Sequence, residues 1–235
     1  MTKKIDQILA NQAAHAVRSE MGMAVAKENG NYQLAAFNCE QAFESRLMQG
    51  LITWRSGDNP TQYFEQAISR FAQDWQTLQE IDSKSPKLSD ARYEQVYFVA
   101  YLVDQPLPFS AQSNAAEAMQ CDRRLDAALG QWLFDGWDAS LWNSGMEELK
   151  RKGSPLAVET YSFYRQVMET TMQDLPELEA TADQLFRRRK KDGFFSGGVR
   201  TSGGGPDNDV TVDYRFAALA KRVGYAGNSI HAWRW

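Results

Sequence analysis

Histidine and cysteine are scarce in this chain, with two of each among 235 residues. His15 and His231 stand near opposite ends, and no Gly-x-Ser-x-Gly elbow is present, so a nucleophile–histidine pair has no support in the sequence. Cys-x-x-Cys and His-Glu-x-x-His are both missing, which removes the usual zinc spacings. Cys39 and Cys121 are too few and too far apart to form a disulfide framework, and a cytoplasmic location is the default expectation. Cys39 falls on an apolar stripe and is expected to be a buried, reduced thiol. No apolar run approaches the roughly 20 residues that span a bilayer. The opening "MTKKIDQILANQ" is too interrupted by polar residues to be a good secretory signal.

Phosphate-binding loops are absent as well. "SGGVRTSGGGPD" carries five glycines, yet it has no lysine in the P-loop position and no Gly-x-Gly-x-x-Gly. It is expected to be a flexible connection. The five cations Arg187–Lys191 just before it follow a segment that begins with Asp174, Glu177, Glu179 and Asp183. Acid at the start and base at the end suit a helix macrodipole, so the run is expected to finish a solvated helix. A partner contact and a nucleic-acid contact are the alternatives. The formal charge of −4 argues against a generally nucleic-acid-binding surface and suits a basic partner.

What the chain does have is helical periodicity with well-marked ends. Ala36, Cys39, Phe43, Leu47, Leu51 and Trp54 recur at intervals of three or four, and Gly57 can close that helix. Asn59 and Pro60 start another, with Phe64, Ile68, Phe71, Trp75, Leu78 and Ile81 on one face, so the pair predicts an antiparallel hairpin. Ser89 opens a helix through Val96, Val99 and Val103 that stops before "DQPLPF". A further helix is expected from about 113 to 134, another to Lys152, one capped by Ser154 with Pro155, and one opened by Asp174. In "DVTVDYRFAALAKRVGY" a last helix is favoured over a short strand at Val210–Tyr214, with Phe216, Leu219, Ala220 and Val223 inward. "GLITWRSGD" and "GQWLFDGWD" echo one another 80 residues apart.

These elements predict an all-α protein of antiparallel helical hairpins, packed as a two-part bundle or repeat-like array, with a glycine-rich loop before the last helix. The expected halves are 1–106 and 107–235, or one continuous domain, with "LPFSAQS" as the seam. Among charged clusters, Glu40 with Glu44 and Asp122 with Asp126 have helical spacing. A di-metal bundle would need further carboxylates or Glu-x-x-His motifs, which are missing. Asp207, Asp209 and Asp213 lack EF-hand spacing and are expected to cap the last helix. No metal and no cofactor is expected.

In "LMQGLITWRSGDNPTQYFEQAISRFAQDW", "ALGQWLFDGWDASLW" and "VDYRFAALAKRVGY", about a third of the chain, the sequence resembles the all-helical immunity proteins encoded beside bacterial polymorphic or contact-delivered toxins. That resemblance implies a non-enzymatic protein that docks on a cognate toxin and covers its active site. An acidic surface would speed association with a cationic toxin. Tryptophan and arginine commonly anchor such interfaces, and the candidates are Trp137, Trp142, Arg200, Asp207, Asp209 and Trp235. Trp54 and Trp75 lie on apolar stripes and are expected in the core. A helical adaptor or phage-type regulatory protein is the alternative, and an enzyme with an unfamiliar helical site is a third reading.

Overall fold

The helix ends form where local chemistry satisfies their unpaired backbone groups. The computed structural model describes residues 2–81, 90–108, 124–134, 136–191 and 213–224. Among them the helices are α1 (Thr2–Glu28), α2 (Tyr32–Arg55), α3 (Thr61–Ile81), α4 (Asp90–Leu102), α5 (Arg124–Phe134), α6 (Ala139–Lys152), α7 (Pro155–Glu169), α8 (Leu175–Lys191) and α9 (Tyr214–Arg222). No strand occurs among the described residues, and none of their helices is long and apolar enough to cross a membrane. The expected start at Ser89, the span 113–123 and the glycine-rich stretch lie outside the described residues.

Several sequence-predicted caps are present as bonds. The Asn59 side chain accepts the Thr61 amide at 3.0 Å, and Ser154 accepts the Ala157 amide at 3.1 Å with Pro155 beside it. Asp213 accepts the Phe216 amide at 3.0 Å and opens α9, so Tyr214 is helical and Asp213 is its cap. Asp174 stands directly before α8, as expected, and its carboxylate also accepts the Thr171 hydroxyl at 2.5 Å. Gly57 and Gly224 take positive φ, +91° and +87°, where a side chain would be strained.

The two echoed stretches use the same device. In each, a helix carries an interior glycine against an aromatic ring: Gly50 against Phe64, and Gly130 against Tyr97. Each then turns at a glycine with positive φ (Gly57, Gly136) and restarts on an Asx residue. Asn59 and Asp138 both accept the amide two residues on.

Packing follows chain order at the N-terminal side, where α2 lies against both α1 and α3. α4 joins this hairpin layer to the rest, touching α3, α5 and α9. Short connections make α5–α6 and α6–α7 further hairpins, and α8 packs on α7. The buried side chains of both halves form one hydrophobic cluster, from Met23 through Phe98 and Leu129 to Ala220.

The last helix differs from its amphipathic expectation. Every residue from Asp213 to Ala220 is buried, because α4, α5 and α7 all pack on α9. Ala217, Ala218 and Ala220 let three neighbours approach closely, which a one-sided stripe would not need. At its far end the Lys221 ammonium donates to the carbonyls of Tyr101 and Leu102, at 3.2 and 2.8 Å, and to Asp104 at 2.9 Å. A residue over a hundred positions away thus closes the C-terminus of α4.

Candidate interaction surfaces

Charge inside the fold is used to join helices. Asp126 on α5 is buried, accepts the Tyr161 hydroxyl at 2.6 Å and pairs with Arg215 on α9 at 3.4 Å. Beside it the Tyr164 hydroxyl donates to both Asp213 oxygens, at 3.1 and 3.2 Å. These two carboxylates therefore bind α5, α7 and α9 together. The described residues contain no group of three or more histidine, cysteine, aspartate or glutamate side chains that could share a metal ion. His15 Nδ1 lies 2.8 Å from the Ser45 hydroxyl, linking α1 to α2.

A second cluster ties α1, α2 and α3. Glu20 bonds Arg46 and lies 3.3 Å from Arg70, which in turn lies 3.4 Å from Asp74. Arg46 thus pairs with Glu20 on the neighbouring helix. Cys39 is a buried free thiol next to this cluster, and burial, followed by the negative charge of Asp74, pushes it far above the ordinary thiol range. The thiol is a packing group there.

Burial also raises the Asp74 carboxyl above its ordinary value, with Arg70 pulling it the other way. A carboxyl raised in the folded state holds its proton more tightly there than in the unfolded chain. Its contribution to stability is full below the unfolded value of about 3.9 and is lost as pH rises through the raised value. Asp74→Asn, which cannot ionise, should therefore gain on the native chain between about pH 4 and pH 7. Urea midpoints of the two proteins across that interval would show it; a gap moving the other way would mean that Arg70 outweighs burial.

Of the sequence-nominated anchors, Arg200, Asp207, Asp209 and Trp235 lie outside the described residues. Trp137 and Trp142 are brought together at the corner between α5 and α6, with ring centroids 5.5 Å apart. Trp142 is only 6% exposed and faces Tyr161 edge-on, so it belongs to the aromatic path leading inward to Tyr164. Trp137 keeps part of its surface open. The Arg165 guanidinium sits 4.3 Å over its ring and pairs with Glu169 at 2.5 Å. Next to it, Asp138 caps α6 by accepting the Ser140 hydroxyl and the Ser140 and Leu141 amides. Those bonds hold its carboxyl below the usual range.

Sequence reasoning missed one surface entirely. Val17, Met21 and Val25 of α1 and Leu34 and Phe37 of α2 are exposed, between 46 and 65%. Met21, Val25 and Leu34 also line an open groove of about 380 Å³, whose other walls include Asn29, Asn31 and Asn38. The signal was in the sequence: α1 carries apolar residues on the side that faces α2 and on the opposite side too.

The fold and its surfaces define an all-α helical protein whose described residues are joined by one core. Compared with protein-family models, curated proteins and solved structures, the chain matches none.

Proposed function

We propose that this chain is a non-enzymatic, cytoplasmic protein that neutralises a bacterial toxin by docking on it and covering its active site. The observation that carries the reading is the Trp137–Arg165 corner. There a partly exposed tryptophan packs beside Trp142 and beneath the Arg165 guanidinium, which pairs with Glu169. Side chains fixed in this way lose little freedom on binding, and tryptophan and arginine dominate interface energetics. The net charge of −4 suits a cationic toxin. The resemblance of the helical hairpins to immunity proteins supports the same class.

The test is co-expression with the product of the neighbouring gene. The expected result is restored growth and a complex that survives purification. The double variant Trp137→Ala/Arg165→Ala should keep the native circular dichroism and weaken the complex by at least about 100-fold, a loss typical of a central pair of anchors. An active neighbouring toxin that is neither bound nor neutralised would overturn the proposal. Recovery of a housekeeping or phage component instead would favour an adaptor.

A further inference from the structure

The outward side of α1 is the least expected surface of the molecule. Opposite the buried side formed by Ala16, Ser19, Met23 and Ala26, residues Ala10, Ala13, Ala14, Val17, Met21, Ala24 and Val25 are all exposed. Along the line of Ala10, Ala14, Val17, Met21 and Ala24 no charged side chain intervenes over roughly 21 Å of helix, with Arg18 on its flank. A solvated helix normally presents its polar side there; one that is apolar on both sides is built to pack on both.

The spacing states what kind of object it packs against. Ala10, Ala14, Val17, Met21 and Ala24 follow one another at steps of four, three, four and three. That alternation is the seam of a two-helix coiled coil and calls for another helix. From Ala10 to Met21 the volumes along the seam rise, and Ala24 then ends it with a small residue. An antiparallel second α1 would match them, with Met21 opposite Ala10 of the second copy and Val17 opposite Ala14 of the second copy. In the same register, Asp6 on one flank comes near Lys27 of the second copy, and symmetry repeats the pair. A parallel copy would stack the large residues on one another and separate those charges.

We infer that this face is a homodimer interface in which α1 pairs antiparallel with α1 of a second copy, with Leu34 and Phe37 of α2 widening the contact. Two helix faces of this length bury on the order of 1,000 Å² in total, at the lower edge of specific interfaces. The dimer is therefore expected to be reversible, with a dissociation constant on the order of 1–100 µM. The inference uses helices other than those at the Trp137 corner and does not depend on the toxin-binding reading.

Sedimentation velocity on the full chain from about 1 to 300 µM, a range bracketing that constant, should show a monomer passing to a dimer. Val17→Glu/Met21→Glu places charge in the seam and should weaken the dimer at least about 100-fold while circular dichroism stays native. Register is read separately: the double variant Ala10→Cys/Met21→Cys should cross-link between copies on mild oxidation, while Ala10→Cys alone and Met21→Cys alone should not. A chain that stays monomeric throughout overturns the inference. So does a dimer indifferent to Val17→Glu/Met21→Glu, or one that cross-links through Met21→Cys alone, which would mean a different register.

Discussion

Asp126→Ala is expected to destabilise the protein by about 3–5 kcal/mol, the cost of leaving one member of a buried ion pair without the other. Arg215 and Asp126 have side chains only 5% and 9% exposed. The guanidinium sits on α9, whose neighbours on three sides are other helices, and so it cannot swing out to water. Removing the carboxylate also strips the Tyr161 hydroxyl of its 2.6 Å acceptor. Asp126→Asn separates the two effects: it keeps an acceptor for Tyr161 and removes only the charge, so its loss should be smaller than that of the alanine variant. Chemical denaturation measures both. A loss below about 1 kcal/mol for Asp126→Ala, within the range of an ordinary hydrogen bond, would mean that Arg215 does not depend on this carboxylate.

Gly50→Ala should destabilise by about 1–3 kcal/mol, as overpacking of a filled core does. A Cβ at this position would meet two carbons of the Phe64 ring at 2.3 and 2.4 Å, well inside any tolerable contact. Phe64 is fully buried, and its ring stands edge-on to Trp54 at 5.9 Å, so it cannot retreat cheaply. Gly130→Ala should cost less, because the nearest Tyr97 atoms lie at 2.8 and 2.9 Å. Pairing Gly50→Ala with Phe64→Leu tests the cause. If the ring is responsible, the double variant will be more stable than the sum of the two single losses predicts. Additive losses would place the effect of Gly50→Ala elsewhere in α2.

Both predictions turn on residues whose importance the sequence showed only in part. Gly50 was visible as a member of an echoed stretch, but its glycine requirement comes from a ring on the next helix. Asp126 was visible as half of a carboxylate pair with Asp122. Its partners proved to be Tyr161 and Arg215, which are 35 and 89 positions further along the chain. Arg215 itself sits beside "FAALA" and reads as an ordinary polar residue on the outer side of a surface helix. The interaction surfaces divide in the same way. Trp137, nominated from its residue type, stays partly exposed, while Trp142, nominated on the same grounds, is packed beneath it. The exposed side of α1 was legible in its spacing, yet an apolar residue in a sequence carries no mark of whether the fold will cover it.

The sequence by itself determined the all-helical class, the hairpin at Gly57–Pro60, the caps at Asn59, Ser154 and Asp213, and the core places of Trp54, Trp75 and Cys39. Those features depend on interactions within a few residues, or on a periodicity that a single helix displays. Only the tertiary structure decided that α9 is buried from Tyr214 to Ala220 among three helices, that Asp126 and Arg215 meet in the interior, and that Lys221 closes α4. It alone also decided that the apolar outer face of α1 is left open. Each of these is set by which helices become neighbours, and that follows from burying the whole set of stripes at once, a condition no single segment contains.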